Sequence, residues 1–130
     1  MTKEREKKEV LVVDDDPHHL YTLKRIFKDE SFELITAESG EECLKKMDEG
    51  FEGVILMDIM MPEMDGWGTI REIVENYDME NIVIVMLTAK DSPEENRADL
   101  QKYVVDYVRK PFTGEDLKRT IKKYQKFLEV

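Results

Sequence analysis

Short apolar runs alternate along the chain with segments whose apolar residues recur every three or four positions. "EVLVVD" is followed by a segment placing Leu20, Leu23, Ile26 and Phe27 on one face, and "FELITA" by one with Cys43, Leu44 and Met47. "EGVILMD" precedes Ile70, Ile73, Val74 and Tyr77, "NIVIVMLT" precedes a weakly patterned segment from Pro93 to Lys102, and "VVDYV" precedes Leu117, Ile121, Tyr124 and Leu128. Apolar runs of this kind fit buried strands and the longer repeat fits amphipathic helices, so the pattern predicts five strand and helix pairs.

Strands separated by helices pair in parallel through right-handed crossovers, with helices covering both faces of the sheet. A parallel strand buried on both faces reads as an unbroken apolar run, whereas an edge strand tolerates polar residues. The first, third and fourth runs are unbroken; the second carries Glu33 and Thr36 and the fifth Asp106, which places those two at the edges. The expected fold class is α/β: a doubly wound, flavodoxin-like (βα)5 three-layer sandwich with sheet order 2-1-3-4-5. Ligands of such sheets bind beyond the carboxyl ends of the strands, at the switch point between the first and the third.

Capping chemistry marks the helix starts, because a side-chain oxygen there accepts from a free backbone N–H. Asp16 before Pro17, Ser39 with Glu42, Ser92 before Pro93 with Glu95, and Thr113 with Asp116 all have this form. Gly50 reads as the stop of the second helix. The fourth helix has only Ala98 and Leu100 as clear apolar residues, so burial holds it weakly and it is expected to be movable.

A chain of 130 residues fits one domain, here residues 10–130 behind a polar tail at residues 1–9. The formal charge of −10 repels nucleic acid phosphates and anionic membrane surfaces, so neither is an expected partner. Cys43, the single cysteine, cannot form an internal disulfide and reads as a small buried side chain. "MTKEREKKE" lacks the apolar stretch of a signal peptide and no apolar run is long enough to cross a bilayer, so the expected location is cytoplasmic.

Chemistry converges where the strands end. The first run ends in "VVDDDP", the third in Asp58, the fourth in "MLTAK", and the fifth leads into "VRKPF". Asp14, Asp15 and Asp58 then meet on adjacent strands, where three carboxylates repel unless a cation or a bound proton offsets them. A hard divalent ion, Mg2+, suits one or two carboxylates and a backbone carbonyl; residue types alone leave calcium open. Lys110 and Thr88 suit a phosphoryl group better than a metal cage. If Asp58 attacks phosphorus, an acyl phosphate forms whose oxygens Lys110 and the metal neutralise and Thr88 hydrogen-bonds.

Plainer roles fit other residues. Asp16 is a helix cap that the site does not need. His18 and His19 read as solvent-facing, and Met57, Met60, Met61 and Met64 as gap fillers and loop packing. Trp67, between Gly66 and Gly68, reads as a partly exposed ring near the site.

From Val10 to Leu128 the chain resembles the receiver domains of two-component response regulators: the pair Asp14 and Asp15, "MDIMMP" with Asp58, Thr88 followed by Ala89, and "KPF" with Lys110. The resemblance implies that Asp15 and Asp58 bind magnesium directly, that Asp14 acts partly through water, and that the Met60 carbonyl is a further ligand. It implies a sensor histidine kinase or phosphotransfer protein as donor, Tyr107 as the aromatic that turns inward when Thr88 closes on the phosphoryl group, and a cis Lys110–Pro111 peptide. It also implies a downstream protein docking on the fourth helix, fifth strand and fifth helix. The chain departs from the pattern at Tyr103, where receivers commonly have glycine; Met60 and Lys90 occupy variable positions associated with phosphate lifetime.

The expected function is a stand-alone phosphorylation-dependent switch, monomeric or weakly dimeric, passing its signal by noncovalent contact and performing no turnover catalysis beyond its own phosphorylation and dephosphorylation. The alternative is a constitutive protein-interaction module that ignores phosphate, whose expected signature is loss of the acceptor or acidic pair; this chain keeps both. A haloacid-dehalogenase-type phosphohydrolase needs a second aspartate where Met60 stands. A flavodoxin needs a hydroxyl- and glycine-rich loop where three aspartates would repel FMN.

Overall fold

In the computed structural model, which describes residues 8–89 and 98–128, five parallel strands form one sheet in the order β2-β1-β3-β4-β5. The elements run β1 (Lys8–Val13), α1 (Pro17–Ile26), β2 (Phe32–Ala37), α2 (Gly40–Asp48), β3 (Gly53–Asp58), α3 (Gly66–Asn76), β4 (Ile82–Thr88), α4 (Ala98–Gln101), β5 (Val104–Arg109) and α5 (Gly114–Leu128). Strand order and the two edge assignments match the sequence reading. β1 begins at Lys8, inside the segment expected to be a polar tail.

Alternation along β1 separates the two cores. Leu11 and Val13 face α2, α3 and Leu100 of α4, while Val10 and Val12 face Leu20 and Leu23 of α1, Phe27 at its C-cap, and Leu117, Ile121 and Tyr124 of α5. Both faces of the central strands are therefore covered, which is why Val10–Val13 of β1 are all apolar and β3 and β4 carry no polar side chain before their last positions. Each fully buried leucine or isoleucine contributes about 1.5–3 kcal/mol of transfer free energy. Cys43 is buried in the α2 side of this core, as expected. Ile26 is not: it is 50% exposed, because Phe27 takes the inward position one residue later.

Three of the four expected caps lie among the described residues and all three form. Asp16 accepts from the His18 N–H, the Ser39 hydroxyl from the Glu42 N–H, and Thr113 and Asp116 exchange reciprocal bonds of 3.0 Å. The fourth, Ser92 with Glu95, lies outside the described residues, as does the first half of the helix expected from Pro93 to Lys102. Gly50 takes φ +93° and ends α2, with the Phe51 N–H bonding to the Lys46 carbonyl and the Gly50 N–H to that of Met47. This double bond pattern requires the left-handed conformation that glycine adopts at least cost.

Candidate functional site

Register brings the chemistry together. β1 pairs with β3 so that Val13 lies opposite Met57, which sets Asp14 beside Asp58 just past the paired residues. Asp58 in turn lies opposite Leu87 of β4, and Thr88 opposite Arg109 of β5, so Lys110 follows at the same edge. The backbones are tied there as well: the Asp14 N–H bonds to the Ala37 carbonyl, that of Ile59 to Leu87, and that of Lys110 to Thr88 at 2.7 Å.

Ligand oxygens of Asp14, Asp15 and Asp58 lie within 4.8 Å of one another. Asp14 and Asp58 are buried and Asp15 is exposed, so the cluster opens to solvent on one side. Lys110 Nζ lies 3.2 Å from Oδ1 of Asp58, which also accepts from the Met60 N–H at 3.3 Å. Burial nevertheless raises the Asp58 pKa above its ordinary value; Lys110 opposes the rise and Asp14 adds to it. A buried carboxylate in this balance gains from any cation placed between it and its acidic neighbours. The all-oxygen donor set, open on one side, fits a hard divalent ion that keeps some of its waters.

Gly66 opens α3 directly against this strand end. A Cβ there would lie 2.6 Å from the Asp58 carbonyl oxygen and 2.9 Å from Ile59 Cα, so only glycine permits the helix to approach. The Gly66 N–H bonds to the Ile59 carbonyl at 2.9 Å, and Asp65 caps the helix by accepting from the Gly68 N–H. Lys110–Pro111 is cis, as the resemblance implied.

The response regulator receiver domain family model matches residues 10–122. The chain belongs to this family. A CheY-like receiver domain protein from Methanospirillum hungatei JF-1 has a solved structure similar to this receiver, with 47% identity and a TM-score of 0.88, covering 95% of this chain and 98% of that one. The response regulator TrrA from Thermotoga maritima, solved in complex with Mg(2+)-BeF, is 37% identical with a TM-score of 0.73, covering 89% of this chain and 97% of that one. The alkaline phosphatase synthesis transcriptional regulatory protein PhoP of Bacillus subtilis is 32% identical over 115 residues, which are 88% of this chain and 47% of PhoP. The receiver thus spans about half the length of the curated relatives it matches.

Several sequence readings are corrected by the receiver's structure. His19 is only partly solvent-facing: its Nδ1 lies 2.5 Å from Asp14 Oδ2, while His18 is exposed as expected. Trp67 is not partly exposed but 2% exposed, with its indole N–H lacking a hydrogen-bond partner among the described residues. Met57 and Met61 pack into the core, but Met60 is 72% exposed and lies outside it. Asp16 is the helix cap it was read as. Tyr107 packs against the core on the α3 side, and its enclosed hydroxyl has no hydrogen-bond partner among the described residues. Tyr103 packs against the same core, with Lys102 Nζ 5.4 Å from its ring centroid. Lys90 lies outside the described residues. Sequence reasoning missed His19 and the Asp65 cap. Asp65 carried a signal, an acidic residue directly before a helix-starting glycine; Trp67 carried one too, sharing the helical spacing of Ile70 and Val74.

Proposed function

We propose that this receiver is a phosphorylation switch of a two-component system in which Asp58 is the phosphoacceptor. The observation that carries the reading is the placement of one buried carboxylate between Lys110, at 3.2 Å, and the acidic pair Asp14 and Asp15. A sensor histidine kinase or phosphotransfer protein supplies the phosphoryl group. An Asp58 oxygen attacks phosphorus, the new P–O bond forms an acyl phosphate, and the bond from phosphorus to the donor's imidazole nitrogen breaks with its electron pair left on that nitrogen.

Lys110 Nζ, already at the carboxylate, donates to a phosphoryl oxygen, and the Thr88 hydroxyl donates to another. Asp15 and Asp58 would hold Mg2+ directly, with the Met60 carbonyl, and Asp14 partly through water. When bound, the ion neutralises charge on the phosphoryl oxygens. That the related TrrA was solved in complex with Mg(2+)-BeF supports the choice of magnesium.

The Tyr107 hydroxyl, which lacks a hydrogen-bond partner among the described residues, supports its role in switching. Enclosing a hydroxyl without a partner costs about 1–3 kcal/mol, a cost that a switched position giving the hydroxyl a partner would relieve. Phosphorylation shifts such an equilibrium only through contacts that differ between the two states, here those of Thr88, Tyr107 and Lys110. The output surface is α4, β5 and α5, where Val105 and Phe127 are 42% and 67% exposed. The receiver acts in the cytoplasm as a monomer or weak dimer, and it is not a turnover enzyme.

Addition of beryllofluoride and Mg2+ tests the reading by NMR. Amide shifts at Thr88, Tyr107 and Lys110 are expected in the native chain and not in Asp58→Asn. No response in the native chain, or the same response in both, overturns it.

A further inference from the structure

Among the described residues at the cleft, His19 is a group that the proposed phosphoryl chemistry leaves without a role. It stands in the first turn of α1, and its ring nitrogen Nδ1 lies 2.5 Å from Asp14 Oδ2. An ionised carboxylate only accepts hydrogen bonds, so Nδ1 carries the hydrogen of this contact. The other oxygen of Asp14, Oδ1, accepts from the Asp16 N–H at 3.0 Å. Both oxygens of Asp14 therefore have a protein donor, and the carboxylate cannot turn without breaking one of these bonds.

The ring of His19 is itself held. Its centroid lies 5.6 Å from that of Phe112, two residues past Lys110 in the loop that follows β5. One imidazole thus touches the loop bearing the acidic pair and the loop bearing the lysine.

Resting on the magnesium site proposed above, we infer that His19 is a positioning residue: its Nδ1–H fixes Asp14 for a water-mediated contact with the divalent ion and leaves direct ligation to Asp15 and Asp58. Donors that orient carboxylates around a metal change affinity by about 10–100-fold when removed. The effect belongs to the hydrogen bond and not to the ring, and that distinction is testable.

Mg2+ affinity is measured by titration calorimetry on the full chain for wild type, His19→Phe and His19→Gln. Phenylalanine keeps the packing on Phe112 and loses the donor; glutamine loses the ring and keeps a donor. The expected result is affinity about tenfold weaker in His19→Phe and near wild type in His19→Gln. In an Asp14→Ala background, His19→Phe is expected to have no further effect. An unchanged His19→Phe, equal losses in Phe and Gln, or a full His19→Phe effect without the Asp14 carboxylate overturns the inference while the magnesium site stands. Wild type that fails to bind Mg2+ overturns both.

Discussion

Lys110 Nζ reaches within 3.2 Å of Oδ1 of Asp58 although β4 separates their strands. The reach is anchored at its base, where the Lys110 N–H bonds to the Thr88 carbonyl at 2.7 Å. The cation is therefore set over the carboxylate before any ligand arrives, which limits the reorganisation required when charge develops there.

Lys110→Ala separates the two halves of the site. Phosphorylation by a small phosphodonor is expected to slow by about 100-fold, with Mg2+ affinity largely retained because the acidic cluster is untouched. Parallel calorimetry and phosphorylation kinetics check this; equal loss of both would reassign the lysine to metal binding.

Asp58→Asn is expected to stabilise the metal-free protein. Burial and Asp14 raise the native carboxyl's pKa above the ordinary 3.8 despite Lys110, so the native state holds that proton more tightly than the unfolded chain. The resulting stabilisation is complete below the unfolded value and is lost as pH rises through the native one. At neutral pH the buried charge is a net cost, and asparagine removes it. The melting temperature at pH 7 without metal should rise by about 3 °C, and the difference should shrink at low pH.

How much of this was legible beforehand follows from where the information resides. Asp58, Thr88 and Lys110 each close an apolar run or follow one, and parallel strands must all end at the same edge, so their meeting followed from pattern alone. The edge strands were legible because Glu33, Thr36 and Asp106 cannot sit on fully buried strands. His19 was not, because its contact with Asp14 depends on the turn that the Asp16 cap imposes between them. Nothing in residue type separates it from exposed His18. Ile26 has the same spacing from Leu23 as an inward residue, but Phe27 wins the position by fitting the α1 and α5 core.

Gly66→Ala should damage fold and function together. The added Cβ would meet backbone atoms of Asp58 and Ile59, which cannot move aside as a flexible side chain can. A loss on the order of 2 kcal/mol in urea unfolding is expected, with slower phosphorylation because Asp58 shifts. Wild-type stability in this variant would contradict the close approach of α3.

Cys43 should be inert in the native protein. Burial pushes its thiol pKa from 9.0 up to about 12, so the reactive thiolate is absent at ordinary pH. A thiol reagent at pH 8 should label the denatured chain fully and the native chain hardly at all. Because the native thiol keeps its proton while the unfolded one ionises, stability should fall as pH rises from 9.0 toward about 12.

The central claim is tested most directly by intact-mass measurement after incubation with a small phosphodonor and Mg2+. One added phosphoryl group in the native chain, mapped to the peptide containing Asp58, dependent on Mg2+ and absent from Asp58→Asn, is the predicted result. An unmodified native chain, or equal modification of the Asp58→Asn variant, would contradict it.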